Sequence, residues 1–138
     1  MDDIFVGRLM SSPVQTVSAD ASAESVAETM LAENISSVVV VDDAGRLEGV
    51  VTSTDFVRIA AQGGETSSIP VAEYMSTDVV TTTANESVES VADTLIENGI
   101  HHVPVTDETE GVVGMLTTTD LTAYVSGIEE PSPARAQN

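Results

Sequence analysis

The amino-acid sequence predicts an α/β (α+β) fold built from two tandem β-α-β-β-α units. The first observation is an internal repeat: a shift of 65 positions superposes residues 10–55 on residues 75–120 without a gap, and nineteen of these 46 pairs are identical. The second is that each copy shows a helical apolar period followed by two short β-branched runs. The third is size, because a unit of about 60 residues buries so little surface that it is only marginally stable alone. We therefore expect the two units to pack sheet against sheet.

Each unit opens with a short apolar segment and a brief strand. The apolar segments are Val6–Met10 and Val71–Met75, and Pro70 suits the first turn of a helix. The predicted strands that follow are Val14–Val17 and Val79–Thr83.

An amphipathic helix comes next in each unit. Apolar residues recur at i, i+3, i+4, i+7 and i+8, which predicts one buried helix face. They are Ala23, Val26, Ala27, Met30 and Leu31 in the first unit, and Val88, Val91, Ala92, Leu95 and Ile96 in the second. We expect Asp20 and Asn85 to be the N-caps. We expect Asn34 and Gly99 to end the helices in the left-handed conformation.

Two strands and a final helix complete each unit. The predicted strands are Ser37–Val41 with Leu47–Thr52, and His102–Thr106 with Val112–Thr117. The residues Asp43-Ala44-Gly45 are typical of the turn between the first two. The uninterrupted apolar run from Val38 to Val41 predicts a strand covered on both faces. The last helix is expected to start near Asp55 or Asp120.

The predicted domains are residues 1–64 and residues 65–130. A polar, Pro-containing tail, residues 131–138, is expected to be disordered. The chain has 23 acidic residues, four arginines, no lysine and no cysteine, for a net charge of −19. Such a charge disfavours nucleic acid and anionic membranes as partners. It is also typical of salt-loving organisms, in which molar salt screens self-repulsion. No membrane span or signal peptide is evident, so we expect a cytoplasmic protein.

Residues 49–55 (GVVTSTD) and 114–120 (GMLTTTD) resemble the G-h-h-T-x-x-D signature of CBS domains, and residues 100–105 (IHHVPV) are similar to the strand that precedes it. The resemblance covers residues 3–127 and suggests a stand-alone pair of halophilic archaeal type. The resemblance implies a Bateman module, in which the two motifs pack through their sheets with pseudo-twofold symmetry and form two clefts between them, and it implies a homodimer. The clefts of this family bind AMP, ADP, ATP or S-adenosylmethionine, and the modules regulate other proteins without being catalysts.

The T-x-x-D groups are the main candidate ligand-binding residues. A carboxylate at the start of a helix can accept hydrogen bonds from both hydroxyls of a ribose, and Asp55 and Asp120 are the candidates. The hydroxyls beside them can donate toward a phosphate near the helix N-terminus. These hydroxyls belong to Thr52 and Thr117, or alternatively to Thr54 and Thr119. The alternative is that Asp and Thr only cap the helix, and capping is compatible with either role.

The resemblance adds further candidates. Thr16 and Thr81 lie on the strand that faces the cleft in this family, and Val14 and Val79 can contact an adenine there. His101 and His102 occupy a position where the family often carries a basic residue near phosphate, whereas the first unit has two serines. Arg58 follows Asp55 by three residues and can reach a phosphate, but its counterpart is Ala123. We therefore expect two unequal clefts, and alternative roles for these residues are strand packing or simple exposure.

The leading hypothesis is a non-catalytic sensor of an adenine nucleotide that signals to an unknown partner protein. No cofactor is required, and Mg²⁺ is an optional companion of the nucleotide. The scarcity of cations favours a ligand of low negative charge, such as AMP or S-adenosylmethionine. The alternatives are an S-adenosylmethionine sensor and a ligand-free dimerisation scaffold. No catalytic triad, cysteine nucleophile, metal-ligand spacing or Gly-rich phosphate loop indicates an enzyme.

Overall fold

The computed structural model of the chain describes residues 4–127. The predicted tail, residues 131–138, lies outside the described residues. In chain order the elements are α1 (Val6–Leu9), β1 (Thr16–Ser18), α2 (Ala23–Glu33), β2 (Ser37–Val41), β3 (Leu47–Thr52), α3 (Ser53–Ala61), a 3₁₀ turn (Val71–Glu73), α4 (Val88–Asn98), β4 (His102–Asp107), β5 (Gly111–Thr117) and α5 (Thr118–Val125). None of the helices between residues 4 and 127 is both long and apolar enough to span a bilayer.

The chain forms two compact units that do not coincide with the two copies of the repeat. Of the described residues, 15–79 form the Asp55 unit, and 4–14 together with 80–127 form the Asp120 unit. Division of the chain at residue 64 or 65 separates the two sequence copies. The compact units instead exchange the first part of each copy. These lead-in segments are residues 4–14, which lie in the Asp120 unit, and residues 65–79, which lie in the Asp55 unit.

The exchanged segments fill the two hydrophobic cores. In the Asp55 unit, Val71 packs with Val26, Met30, Val38, Val40 and Val51. In the Asp120 unit, Val6 and Leu9 join a core of Val88, Val91, Leu95, Val103, Val105 and Leu116. Each core therefore depends on a segment that belongs, by sequence, to the other copy.

The repeated glycines allow the lead-in segments to approach closely. Backbone groups of Ser11 and Met115 exchange hydrogen bonds of 2.8 and 3.0 Å, and those of Ser76 and Val50 exchange bonds of 2.9 and 3.0 Å. A Cβ atom on Gly114 would lie 2.6 Å from Sδ of Met10. One on Gly49 would lie 2.8 Å from the carbonyl oxygen of Ser76. Any side chain at these glycines would collide with the lead-in segment of the same unit.

The sheet of the Asp55 unit has the order β1-β2-β3, with β1 parallel and β3 antiparallel to β2. Val38, Val39 and Val40 of β2 are fully buried, which confirms the prediction of a strand covered on both faces. The observed bounds of β2 and β3 are the same as those predicted from the sequence. In the turn, Asp42 Oδ1 accepts hydrogen bonds of 2.9 Å from the amides of Ala44 and Arg46.

Within residues 4–127, the Asp120 unit has only the antiparallel pair β4-β5, so the predicted strand Val79–Thr83 is wrong. A single parallel bridge joins Thr82 to Val105. In the Asp55 unit the amide of Val39 donates to the carbonyl of Gln15. The repeat position matching Val39 is Pro104, which has no N–H to donate. The missing donor interrupts the ladder where the strand was expected.

Helices α2 and α4 differ from the prediction at their N-terminal ends. Ser22 and Ser87, not Asp20 and Asn85, are the N-caps of α2 and α4, and each accepts a hydrogen bond from the amide three residues later. A serine Oγ at this position directly satisfies a free helix amide. The C-caps Asn34 (φ 54°) and Gly99 (φ 62°) are left-handed, as predicted.

The apolar faces of the two helices are narrower than predicted. Leu31 and Ile96, the final residues of the apolar period, are 83% and 78% exposed. The buried stripe instead consists of Ala23, Val26 and Met30 in α2, and of Val88, Val91 and Leu95 in α4. An i, i+3, i+7 stripe suffices to cover a sheet of two or three short strands.

Candidate ligand-binding site

Each unit contains the same strand-to-helix turn at its T-x-x-D group. Strand β3 ends at Thr52, which is also the N-cap of α3, and Thr117 has the same two roles for β5 and α5. The helices therefore begin two residues before Asp55 and Asp120. The carboxylates occupy the third helical position, which directs them back toward the end of the strand.

Both aspartates form capping boxes with their threonines and are only 5% exposed. Oδ2 of Asp55 accepts hydrogen bonds from the Thr52 amide (2.8 Å) and hydroxyl (3.3 Å). Oδ2 of Asp120 accepts one from the Thr117 amide (2.9 Å), and the amide of Asp120 donates to Thr117 Oγ1 (3.1 Å). Capping is therefore real in both units. It holds each carboxylate rigidly by one oxygen.

The second oxygen, Oδ1, has a different neighbour in each unit. Nη1 of Arg58 donates to Oδ1 of Asp55 at 2.9 Å, and the arginine side chain is 60% exposed whereas the aspartate side chain is 6% exposed. In the Asp120 unit, the hydroxyl of Ser11 donates to Oδ1 of Asp120 at 3.4 Å. The repeat position matching Arg58 is Ala123, which has no cation to offer. The two turns are thus chemically unequal.

The residue that precedes β2 or β4 is hydrogen-bonded to the same turn. The amide of Ser53 donates to the carbonyl of Ser36 at 3.0 Å, and the amide of Thr118 donates to the carbonyl of His101 at 3.1 Å. His102 pairs with Thr117 across β4 and β5. The structure therefore brings the two histidines to the Asp120 turn and two serines to the Asp55 turn.

The two histidines differ in environment. His101 is exposed, whereas His102 is half-buried. Burial lowers the pKa of His102, and the positive charge of neighbouring His101 lowers it further. His102 therefore binds a proton less readily than an ordinary histidine.

The remaining predicted residues lie in both units. Thr16 and Thr54 of the Asp55 unit and Thr81 and Thr119 of the Asp120 unit are exposed, and thus open to solvent. Val14 and Val79 are half-buried next to the points where the chain passes from one unit to the other. Thr16 lies in β1, but Thr81 lies outside any strand.

A separate open pocket of about 530 Å³ lies within the Asp120 unit. Its lining comprises Met10, Val113, the segment 83–85, and residues 106–110, which form the end of β4 and the turn after it. None of the predicted site residues lines it. Among residues 4–127, no group of three or more His, Cys, Asp or Glu side chains is arranged to hold a metal ion.

Ser11 is a site residue that the sequence analysis missed. Its hydroxyl contacts Asp120, and its backbone pairs with Met115. The available signal was the identity of Met10-Ser11 with Met75-Ser76 in the repeat. That identity revealed equivalent positions, but the chain exchange that places Ser11 beside Asp120 is a long-range property.

Solved structures resemble the whole of the described fold. The CBS domain pair of protein MJ0100, in complex with 5′-methylthioadenosine and S-adenosyl-L-methionine, matches with a TM-score of 0.84 and 30% identity over 91% of this chain and 98% of that one. A conserved protein from Pyrococcus horikoshii matches with a TM-score of 0.81 and 25% identity over 91% and 95% of the two chains.

Curated relatives include two archaeal proteins. L-aspartate semialdehyde sulfurtransferase of Methanocaldococcus jannaschii is 31% identical over 123 residues, or 89% of this chain. Homoserine O-acetyltransferase of Methanohalophilus mahii is 32% identical over 122 residues, or 88% of this chain. The chain spans only 23% and 24% of the lengths of these two proteins.

The family model for the CBS domain matches twice, at residues 6–62 and 71–127. Each match contains one copy of the repeat and one T-x-x-D turn. The fold class predicted from sequence is therefore confirmed, and the chain belongs to the CBS domain family, of which it carries a tandem pair.

Proposed function

We propose that this chain is a non-catalytic regulatory module that binds an adenosine-containing ligand at its T-x-x-D turns and signals to a partner protein. The observation that carries the proposal is the duplicated turn itself. In each unit a nearly buried carboxylate is fixed at the start of a helix by a capping box. A fixed carboxylate can accept hydrogen bonds from both hydroxyls of a ribose with little loss of conformational entropy.

The ligand classes under this proposal are AMP, ADP or ATP, with or without Mg²⁺, and S-adenosylmethionine. The related domain pair of MJ0100 was solved with S-adenosylmethionine and 5′-methylthioadenosine, both of which contain adenosine. The net charge of −19 also favours ligands with few negative charges. Adenosine is the part that all of these candidates share.

The proposal is tested by thermal unfolding in roughly molar KCl with each ligand, alone and with Mg²⁺. A ligand at 100 times its dissociation constant adds about 2.7 kcal/mol of stability, which raises the midpoint by several degrees in a domain of this size. We expect Asp55→Asn and Asp120→Asn each to reduce the response. An unchanged midpoint with every adenosine ligand, in a protein that unfolds cooperatively, would overturn the proposal.

A homodimeric scaffold is the second candidate function. Leu31 and Ile96 occupy matching repeat positions, and both are largely exposed. Exposed aliphatic side chains at repeated positions favour contact with a second copy. Light scattering would test this, with Leu31→Glu and Ile96→Glu expected to lower the mass of a wild-type dimer. A monomeric wild-type protein would refute the homodimer.

A further inference from the structure

We propose that Arg58 makes the Asp55 turn selective for a phosphate-bearing adenosine ligand, whereas the Asp120 turn accepts an adenosine ligand without a phosphate. The inference rests on the proposed function and deepens it. It assigns a different charge class of ligand to each half of the duplicated module. The two turns share their backbone geometry, so the selectivity comes from the side chain three residues after each aspartate.

In the Asp55 turn, both carboxylate oxygens are already engaged. Thr52 donates to Oδ2, and Arg58 donates to Oδ1 from 2.9 Å. A ribose that uses Oδ1 must compete with a charge-assisted hydrogen bond. A ligand phosphate compensates for this loss because it accepts hydrogen bonds from the same guanidinium.

Arg58 is well placed for that exchange. Its side chain is 60% exposed while Nη1 contacts Asp55, and a guanidinium carries five N–H donors in all. A planar guanidinium can hold a carboxylate with one edge and a phosphate with another. An uncharged 5′ group offers no such compensation, and a sulfonium meets a charge of its own sign.

In the Asp120 turn, a neutral hydroxyl rather than a guanidinium contacts the corresponding oxygen. Ser11 donates to Oδ1 from 3.4 Å, near the limit for a hydrogen bond. A ribose hydroxyl can replace the Ser11 hydroxyl with one neutral donor exchanged for another. Ala123 supplies no cation for a phosphate. Burial lowers the pKa of nearby His102, which makes that imidazole a poorer cation than an ordinary histidine.

The natural repeat supplies a reciprocal experiment: Arg58→Ala removes the cation from one turn, and Ala123→Arg adds it to the other. Asp120→Asn leaves the Asp55 turn as the ribose acceptor, and Asp55→Asn leaves the Asp120 turn. Isothermal titration calorimetry at pH 8 would compare AMP with 5′-methylthioadenosine, which share adenosine and differ in 5′ charge. S-adenosylmethionine adds a positively charged member to the series.

In the Asp120→Asn background, we expect AMP to bind about tenfold or more tightly than 5′-methylthioadenosine. Arg58→Ala should remove that preference, and Arg58→Lys should keep part of it. In the Asp55→Asn background, we expect no preference for AMP until Ala123→Arg introduces one. Raising KCl from 0.1 to 1 M should reduce each preference, because salt screens the phosphate–guanidinium attraction.

The outcomes separate this inference from the proposed function. Absence of binding of every adenosine ligand to the wild-type chain contradicts the proposed function. Binding that depends on the aspartates, with an AMP preference that Arg58→Ala leaves unchanged, overturns the inference alone. Circular dichroism checks that each variant is folded. If Arg58→Ala is unfolded, Arg58→Gln compared with Arg58→Lys provides the same test with a longer side chain retained.

Discussion

Gly114 and Met10 are in such close contact that a Cβ atom on the glycine would lie 2.6 Å from the methionine Sδ atom. The contact belongs to the exchanged lead-in segment, whose backbone pairs with Met115 at Ser11. In the Asp55 unit the matching glycine, Gly49, meets Met75 and the carbonyl oxygen of Ser76. The two glycines are therefore required by packing, and their substitution has distinguishable consequences.

We expect Gly114→Ala to destabilise the chain by about 1–3 kcal/mol, as overpacking of a close contact usually does. Met10→Ala should restore part of this loss in the double variant, because the nearest obstacle is a flexible side chain. Gly49→Ala should resist rescue by Met75→Ala, because the Ser76 carbonyl oxygen would remain 2.8 Å from the new Cβ. Urea denaturation measures all six variants, four single and two double, and equal rescue in both units would contradict the packing explanation.

The capping boxes contribute to stability independently of any ligand. Asp120→Ala removes the acceptor for the Thr117 amide, and we expect a loss of about 1–2 kcal/mol in the free energy of unfolding. Thr119→Ala is a matched control, since Thr119 is an exposed residue in the same helical turn. Its effect should stay within about 0.5 kcal/mol. Equal losses in the two variants, measured without ligand, would show that the cap contributes nothing specific.

His102 should make stability depend on pH. Its pKa in the folded protein is lowered, mainly by burial, so the unfolded chain binds a proton more readily. The free energy of unfolding should therefore fall as the pH drops through the ordinary histidine pKa of about 6.5. At higher pH, His102 is unprotonated in both states, and its destabilising effect should be absent.

The difference between wild type and His102→Gln isolates this effect from the titration of the carboxylates. Urea titrations between pH 5 and pH 8 should show a steeper fall for the wild type. His101→Gln should reduce the steepness only slightly, because the charge of His101 is the smaller cause of the lowered pKa. Parallel curves for wild type and His102→Gln would contradict the prediction.

Pro104 accounts for the missing strand in the Asp120 unit, and its replacement should restore one ladder position. In Pro104→Val, the new amide at residue 104 can donate to the carbonyl of Val80, as the Val39 amide does to Gln15. We expect slow hydrogen exchange at that amide by NMR, comparable to that of Val39. The reciprocal Val39→Pro should cost more than about 1 kcal/mol, since it removes a buried ladder bond and leaves the Gln15 carbonyl without this donor. Fast exchange at residue 104 in a folded variant would refute the explanation.

Local features were predicted well because they depend on neighbouring residues. The hairpin strands Ser37–Val41 and Leu47–Thr52 and the left-handed residues Asn34 and Gly99 are as expected. The N-caps were wrong although the signal was local: Ser22 and Ser87 are identical in the repeat, whereas Asp20 and Asn85 are not. Exact repetition was a better guide to the cap than the general preference for Asp and Asn.

The sequence by itself determined that the chain is a duplicated CBS module, which helices and hairpins it contains, and which aspartates lie in the first turn of its final helices. These properties follow from periodicity and from the hydrogen bonds that short segments make with themselves. Only the tertiary structure decided that the lead-in segments exchange between units, that Leu31 and Ile96 are exposed, and that Arg58 contacts Asp55 whereas Ser11 contacts Asp120. These contacts are set by packing between segments that are distant in sequence. A local sequence pattern does not specify which distant segment packs against it.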